Sequence, residues 1–362
     1  MKILHVITSL RIGGAEKLIT EIVPKLKDFG HQVDVCSFDG VETDFSRVLI
    51  DKGIKIISFG KNCNIYNPLF VLKLVNIIRG YDIVHTHNTA PQLFCAIASC
   101  FSNCCMVTTE HSTSNKRRDK LIFKYIDRWM YSRYKRIICI STETRDNLLS
   151  YLGHTKTASI IIPNGIDVKK YQSAKCLDMD LKNTDKKVVT MVAGFRYQKD
   201  YETLIRAISH LNKEKYEAWF VGDGQRRHLI ENYIKENNVS SNIKLWGFRS
   251  DTPSILKSSD IIVQSSHIEG FGLAAVEGMA VGKPVVASNV DGLREVVDGY
   301  GILFPHGDDK ALAAIIQKLS NDKDYYQGIA TKCWERAQMF DIQKMVDAYN
   351  NVYLDLVQNY TC

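Results

Sequence analysis

Short apolar runs alternate with amphipathic stretches along nearly the whole chain, and this pattern limits the folds open to it. The runs of the first half are residues 3–7, 33–38, 54–59, 83–85, 106–109, 136–140 and 160–162; those of the second half are residues 188–192, 218–221, 243–246, 261–263, 284–287 and 301–304. Strands separated by helices are typical of parallel α/β sheets. We therefore predict an α/β chain with two Rossmann-like domains whose parallel sheets face one another across a cleft.

A turn and a polar stretch separate the two series of strands. The turn begins at Pro163-Asn164-Gly165, and the residues after it up to Lys187 have few apolar side chains. A length of 362 residues suits two domains better than one core. We predict domains at residues 1–165 and 188–341, a linker at 166–187 and a final helix at 342–362.

Composition points to a globular protein of a reducing compartment. The chain is 45% hydrophobic and 24% charged, which is ordinary for such proteins. No apolar run reaches the length of a membrane span, and the first residues do not resemble a signal peptide. The ten cysteines include no C-x-x-C pair, so we expect reduced thiols and a cytoplasmic location.

The net charge of +7 is concentrated in one segment, residues 116–136, which holds nine Lys or Arg against two Asp. Apolar side chains recur there at helical spacing: Ile122, Tyr125, Ile126, Trp129 and Met130. A basic amphipathic helix with aromatics is suited to an anionic membrane surface. A helix that packs its apolar stripe on the core and keeps a solvated basic face is the equal alternative. Nothing else indicates a nucleic-acid partner, and we expect none.

Two glutamates frame a glycine-rich turn after the apolar run at 261–263. Glu269 precedes the turn, and Glu277 lies in the helical stretch that begins at Leu273. The turn glycine Gly272 and the first helical residues, Leu273 and Ala274, offer backbone N–H groups and a helix dipole to an anion. Glu277 would repel phosphate, so we predict that it accepts hydrogen bonds from hydroxyls. The set suits a ligand with a central diphosphate and a sugar at each end.

The segment from Glu269 to Glu277 resembles the E-x7-E signature of retaining glycosyltransferases of family 4, which have the GT-B fold. The resemblance covers nearly the whole chain, and bacterial members of the family with similar segments at residues 198–200 and 269–272 commonly build surface polysaccharides. It implies a first domain that binds the acceptor and a second that binds the nucleotide sugar. It also implies that the helix at 342–362 crosses back to the first domain.

Two loops of the first half fit this resemblance. Gly14 follows the first strand in a glycine pair that lacks the G-x-G-x-x-G pattern of dinucleotide sites; the family's corresponding loop lies near the donor diphosphate. His111 fits a family histidine that contacts the donor sugar or its phosphate, and we predict it as catalytic. His85 and His87 are either polar residues that close a strand or the start of a metal site.

Three loops of the second half also fit. Arg196 and Lys199 resemble the Arg and Lys of a family loop that clamps the diphosphate. The chain departs from that pattern because Gly194 stands where the Arg is expected, so Arg196 is its candidate substitute. Gly222 resembles the family's glycine turn beside the nucleotide, and Phe248 the loop that borders the base.

The resemblance implies a retaining transfer of a sugar from a nucleotide sugar, most simply a UDP-sugar, to a saccharide acceptor. Glu269 would orient the donor rather than act as a nucleophile, while Lys199 and Arg196 would stabilise the departing diphosphate. We expect no metal cofactor, because these charges and the helix dipole would neutralise the diphosphate. The acceptor predicted is a lipid-linked intermediate of O-antigen or capsule synthesis at the inner face of the cell membrane.

Two alternatives remain at this level. A sugar-nucleotide epimerase of the same fold would convert the donor without any acceptor. A non-catalytic subunit would bind the nucleotide sugar to support another transferase. A dehydrogenase is disfavoured because the dinucleotide fingerprint is missing.

Overall fold

A computed structural model describes residues 1–11, 13–112, 118, 120–153, 155, 157–178 and 184–359. The chain divides into two compact units. The first contains residues 1–165 and the described part of the C-terminal segment from Ile342 onwards, and the second contains Ile166–Asp341. The predicted linker, residues 166–187, groups with the second unit where it is described; residues 179–183 lie outside the described residues. Residues 360–362 of the predicted final helix also lie outside them.

The first unit is built on a parallel sheet with the strand order β3-β2-β1-β4-β5-β6-β7. These strands are β1 Lys2–Ile7, β2 Gln32–Ser37, β3 Ile56–Ser58, β4 Ile83–His87, β5 Cys105–Glu110, β6 Arg136–Cys139 and β7 Ala158–Ile161. Strands such as β4 are buried along their full length, as expected for a parallel sheet covered on both faces.

Helices cover both faces of this sheet. They are α1 Gly14–Asp28, α2 Asp44–Asp51, α3 Leu69–Ile78, α4 Thr89–Ala98, α5 Leu121–Ser132, α6 Thr142–Leu152 and, from the end of the chain, α15 Ile342–Asn359. One core cluster joins the sheet to α1 and α15, and another joins it to α3, α4 and α6. The hydroxyl of Tyr353 in α15 lies 2.5 Å from Nδ1 of His85, so the last helix is fixed within the core of the first unit.

The second unit repeats this plan with the strand order β10-β9-β8-β11-β12-β13, again parallel. Its strands are β8 Lys187–Val192, β9 Tyr216–Val221, β10 Ile243–Gly247, β11 Ile261–Gln264, β12 Val285–Ser288 and β13 Ile302–Phe304. Its helices are α7 Val168–Gln172, α8 Tyr201–Ser209, α9 Arg227–Glu236, α10 Thr252–Ser258, α11 Leu273–Ala280, α12 Asp291–Val297, α13 Asp309–Asn321 and α14 Lys323–Met339.

The predicted fold class is confirmed: each predicted apolar run contains a strand, and both sheets are parallel. Pro24 lies inside α1. None of the described helices combines the length and the apolar character that crossing a bilayer requires.

Strand order places one crevice in each sheet. From β1 the chain passes to β2 on one side, while β4 pairs with β1 on the other side. The second sheet repeats this arrangement, with β9 and β11 on opposite sides of β8. Ligands of open parallel sheets bind beyond the C-terminal strand ends at such switch points. The loops after β1, β4, β8 and β11 are therefore the first places to look for a site.

One glycine beside the second switch point is required by backbone packing. A Cβ at Gly222 would lie 2.0 Å from the carbonyl oxygen of Ala193, and its φ is +142°. We predict that Gly222→Ala destabilises the protein by about 2–3 kcal/mol, because it introduces both a clash and a strained φ. Urea unfolding would measure this change.

Gly328→Ala is the matched control, since Gly328 lies in α14 and a Cβ there meets nothing within 4 Å. It should be neutral or stabilising by up to about 1 kcal/mol, because alanine favours the helix more than glycine does. Equal stability of the Gly222→Ala protein and the wild type would contradict the packing role.

Candidate functional site

Two hydrogen bonds join the loops that follow β8 and β11. The backbone N–H of His267 donates to the carbonyl of Gln198 at 2.9 Å, and the hydroxyl of Ser265 donates to the carbonyl of Asp200, also at 2.9 Å. Asp200 has a φ of +28° and caps α8 by accepting from the N–H of Thr203. The two loops at the switch point are thus held in one fixed arrangement.

Lys199 and Glu269 form an ion pair across these two loops. The ammonium of Lys199 donates to Oε2 of Glu269, and both side chains are partly buried. Their sequence separation is large, yet the strand order brings together two of the four residues predicted as catalytic. A polar ligand can bind at such an ion pair at a switch point. Its oxygens then replace the glutamate as the hydrogen-bond partner of the lysine.

The N-terminus of α11 lies directly after this pair. Gly272 precedes the helix with a φ of +95°, and no side chain caps the helix at this end. The first amide groups of a helix have no carbonyl partner within it. The N–H groups of Leu273 and Ala274 could therefore donate to an anion bound at the start of α11. Glu277, one turn further along, is buried with a relative exposure of 4%.

Arg196 occupies space next to Gly194. The residue is exposed, and its Nε would lie 3.7 Å from a Cβ added at Gly194. That distance is ordinary van der Waals contact, so a side chain starting at position 194 would begin beside the Arg196 guanidinium. That Arg196 replaces the arginine expected at Gly194 stays a prediction.

The other two predicted donor residues of this unit lie after the neighbouring strands. Gly222 follows β9, where its missing side chain lets the loop contact Ala193. Phe248 follows β10 and exposes 58% of its surface. An exposed aromatic ring at the C-terminal edge of a sheet can stack on a planar ligand group. Packing explains why position 222 holds a glycine. Packing does not explain why the aromatic ring of Phe248 is exposed.

Gly14 begins α1 in the loop after β1. A Cβ there would meet nothing within 4 Å, while a Cβ at Gly13 would meet the carboxylate of Glu16 at 2.1 Å. The protein's own packing therefore does not require a glycine at position 14. A glycine at position 14 would instead allow a ligand to approach the backbone closely. The contact of Gly14 with the donor stays a prediction.

His111 is the last member of a hydrogen-bonded row of histidines in the first unit. Its Nε2 lies 2.9 Å from Nδ1 of His87, whose Nε2 lies 3.0 Å from Nδ1 of His5. His5 was missed by the sequence analysis, although parallel register pairs it with His85. The signal was present: β1 and β4 each carry histidine in an apolar run, and adjacent central strands bring such residues together.

Burial keeps these histidines uncharged near neutral pH. Desolvation lowers the pKa of His5 to about 3 and that of His111 to about 4. Burial, with repulsion from the neighbouring imidazoles, also holds the pKa of His85 and His87 well below the ordinary value. The cluster therefore offers neutral hydrogen-bonding groups rather than positive charge.

Among the described residues, two groups of side chains have the spacing of metal ligands. One is His5, His85 and His87; the other is Asp200, His267 and His306. Both ring nitrogens of His85 already contact hydroxyls, and Nδ1 of His267 lies 2.6 Å from Nε2 of His306. Existing hydrogen bonds would have to break before either group could take an ion.

Two family profiles match the chain in succession. The profile "Glycosyltransferase Family 4" matches residues 12–170, and the profile "Glycosyl transferases group 1" matches residues 178–335. Together they cover most of the chain. The chain belongs to the group 1 glycosyltransferases. This membership confirms the prediction of a transferase, and the glycosyltransferase resemblance is confirmed at the level of the family.

Relatives of similar length agree with this assignment. This glycosyltransferase is 28% identical to an uncharacterized glycosyltransferase, MJ1178, of Methanocaldococcus jannaschii, with 95% of each chain covered. It is 26% identical to the Escherichia coli UDP-Gal:alpha-D-GlcNAc-diphosphoundecaprenol alpha-1,3-galactosyltransferase, covering 99% of this chain and 98% of that one. The structure of Anabaena Alr3699/HepE with UDP-glucose has a TM-score of 0.87 at 24% identity, covering 98% and 100%.

The histidine cluster gives the glycosyltransferase a pH-dependent stability. A histidine whose pKa falls on folding binds its proton more readily in the unfolded chain, so stability is lost as the pH falls. We predict that the loss begins below about pH 6.5 and reaches up to about 2 kcal/mol per buried histidine at pH 5. Urea unfolding at pH 7 and pH 5 would measure it.

The carboxyl groups of Asp39 and Asp309 do not contribute to the change in stability between pH 7 and pH 5. The pKa of Asp39 is held low by hydrogen bonds that outweigh its desolvation, and the pKa of Asp309 is lowered in the same way by His210 and Arg206. Both groups lose their contribution only at more acid pH. The variant His5→Leu should show a shallower change between pH 7 and pH 5. An unchanged free energy of unfolding across this window would contradict the neutral cluster.

Proposed function

We propose that this enzyme transfers a sugar from a UDP-sugar to a saccharide acceptor with retention of anomeric configuration. The observation that carries the proposal is the Lys199–Glu269 pair, joined across the switch-point loops and followed by the N-terminus of α11. A cation and free helical amides suit a diphosphate, while a carboxylate beside them suits sugar hydroxyls. The diphosphate and the transferred sugar of a nucleotide sugar need these two kinds of group.

Donor binding would separate the ion pair. The diphosphate would accept hydrogen bonds from Lys199, from Arg196 and from the amides of Leu273 and Ala274. Glu269 would then be released to hold hydroxyls of the sugar. Glu277, buried in the first turns of α11, would accept hydrogen bonds from the ribose hydroxyls, and Phe248 would lie against the base.

In the proposed reaction the bond between C1 of the sugar and the diphosphate oxygen breaks, with its electron pair going to the diphosphate. The acceptor hydroxyl oxygen bonds to C1, and its proton passes to an oxygen of the departing diphosphate. Negative charge grows on the departing UDP. Lys199, Arg196 and the helix dipole stabilise that charge more strongly in the transition state than in the ground state, which lowers the barrier. We propose that these groups do so without a metal ion.

The donor and acceptor classes draw support from relatives. The E. coli relative is named for UDP-Gal as donor and for a diphosphoundecaprenol-linked sugar as acceptor. The Anabaena protein of similar fold is described with UDP-glucose. We propose a UDP-sugar donor and a lipid-linked intermediate of O-antigen or capsule synthesis as the acceptor. An enzyme with that acceptor would work in the cytoplasm, at the inner face of the membrane.

Variants of the charged residues test the mechanism. We predict that Lys199→Ala lowers kcat by about 10²–10³, since it removes a group that stabilises the leaving diphosphate. Glu277→Ala should weaken UDP binding by about tenfold or more, because the ribose loses charge-assisted hydrogen bonds. Glu269→Gln should lower kcat with little effect on UDP affinity. Initial rates with a panel of nucleotide sugars, and calorimetric titration with UDP, would measure these effects.

Glu236→Gln, an exposed change in α9, is the control and should leave both quantities unaltered. Activity near that of the wild type in all three site variants would refute the mechanism. Conversion of the donor without any acceptor would favour an epimerase, and UDP binding without transfer to any acceptor would favour a non-catalytic subunit. The anomeric coupling constant of the product would test retention.

Helix α5 supplies a surface for a lipid-linked acceptor. Leu121, Ile122 and Tyr125 expose 79%, 67% and 71% of their surface, and Trp129 is also exposed. The predicted apolar stripe therefore lies largely outside the core, contrary to the alternative in which it packs inside. Exposed aromatic and aliphatic groups with nearby lysines suit an anionic bilayer surface. We propose that α5 contacts the membrane.

Not every basic residue of the segment 116–136 is part of the proposed membrane contact. Arg118 is paired with the buried Glu110 and its side chain is mostly covered, so it stabilises the fold instead. Lys116, Arg117 and Asp119 lie outside the described residues. Lys120 is exposed just before α5 and Lys124 lies one turn later. These two lysines are near the exposed Leu121 and Tyr125 in the sequence, and we propose them as cations for lipid headgroups.

Vesicle binding tests this surface. We predict that the triple change Ile122→Ser, Tyr125→Ser and Trp129→Ser weakens binding to phosphatidylglycerol-containing vesicles by at least about tenfold, since it removes most of the apolar area available for insertion. The double change Lys120→Glu and Lys124→Glu should weaken it on anionic vesicles. Co-sedimentation would measure both. Leu229→Ser, at an exposed position of α9, is the control, and equal binding by all variants would contradict the proposal.

A further inference from the structure

The row His5–His87–His111 is a continuous hydrogen-bonded chain that leads from the core to a predicted catalytic residue. Its two links measure 3.0 Å and 2.9 Å between ring nitrogens. His5 and His87 are fully buried, whereas His111 follows the end of β5 and is partly exposed. One end of the chain therefore lies inside the sheet and the other at its C-terminal edge.

Each ring in this chain carries a single N–H. Burial keeps all three imidazoles neutral near pH 7, and a neutral imidazole has one donor nitrogen and one acceptor nitrogen. In each link one nitrogen must donate and the other must accept. The proton position in one ring therefore fixes the proton position in the next.

Only two arrangements satisfy both links. In the outward arrangement His5 donates through Nδ1, His87 donates through Nδ1, and His111 accepts at Nε2 and keeps its proton on Nδ1. In the inward arrangement all three protons sit on Nε2, and the direction of donation is reversed. The arrangements differ in the group left at each end of the chain.

The buried end decides between them. Nε2 of His5 is buried and has no hydrogen-bond partner among the described residues. The inward arrangement would place an N–H there, and buried N–H groups without acceptors are rarer than acceptors without donors. The outward arrangement leaves only a lone pair at this position, so it has the lower cost.

We propose that His5 and His87 are positioning residues that hold His111 in the tautomer with its proton on Nδ1. This rests on the proposed function and on the family resemblance, which implies that His111 contacts the donor sugar or its phosphate. His111 then acts as an uncharged hydrogen-bond donor to an oxygen of the substrate, a phosphate oxygen or a sugar hydroxyl oxygen. It does not take a proton from the acceptor, because its only free nitrogen already carries one.

The same histidines do not need a metal ion to explain their arrangement. Their mutual distances are those of N–H···N hydrogen bonds, and His85 is held separately by the hydroxyls of Tyr353 and Thr109. An ion shared with His85 would have to displace one of these two hydroxyls. Metal analysis of the purified protein is therefore one arm of the test.

Nitrogen NMR of protein labelled with ¹⁵N-histidine tests the tautomer directly, with His111 assigned by comparison with His111→Gln. We expect a protonated Nδ1 and an unprotonated Nε2 at His111. In His5→Leu the first link is lost, so His111 should become a mixture of tautomers and kcat should fall by about tenfold, as for one uncharged hydrogen bond. In His5→Asn the side-chain amide can donate from the place of Nδ1 and should restore both readouts.

Tyr353→Phe is the matched control, since it removes the hydroxyl beside His85 in the same buried cluster. It leaves the hydrogen-bonded row His5–His87–His111 intact. It should alter stability without changing the tautomer of His111. A protonated Nε2 at His111, an unchanged tautomer in His5→Leu, or a stoichiometric metal lost in that variant would each overturn the proposal.

The two levels of the argument can fail separately. Full transfer activity in His111→Gln would remove His111 from the proposed reaction while leaving the measured tautomer as it is. The reverse result, a wrong tautomer together with the predicted losses in Lys199→Ala and Glu277→Ala, would refute the histidine chain and leave the proposed transfer standing.

Discussion

Parallel pairing of strands is the constraint on which the rest of the molecule depends. Because every strand of a sheet points the same way, every loop that follows a strand lies on the same edge, and the change of direction at the central strand opens a crevice there. Lys199 follows β8 and Glu269 follows β11, so residues distant in sequence become an ion pair. The same topology in the first sheet brings His5 beside His85 and His87.

Much of this arrangement could be predicted from the sequence. The strands are short apolar runs in both units, and burial on both faces makes such runs easy to recognise. The glycine-rich turn before Leu273 predicted the start of α11, which the structure places at that residue. Local composition carries this information, since a parallel strand or a helix N-terminus is determined largely by residues within one short segment.

The interactions between distant segments could not be predicted in the same way. The pairing of Lys199 with Glu269 depends on strand order, which no local pattern records, and the glutamate and lysine were assigned separate partners in a ligand. The exposed stripe of α5 shows the same difficulty, because an apolar face at helical spacing is equally compatible with the core and with a membrane. His5 was missed because a polar residue inside one apolar run gains its meaning only when the pairing of that strand with the histidine-bearing β4 is also considered.

The candidate site residues of the two units differ in their electrostatics. In the second unit Lys199 and Glu269 neutralise one another, and under the proposed function a diphosphate would replace Glu269 as the partner of Lys199. In the first unit the site consists of neutral imidazoles whose charge is suppressed by burial. An uncharged donor such as His111 adds direction without adding charge. Under the proposed function a diphosphate would therefore be attracted mainly by Lys199, Arg196 and the N-terminus of α11.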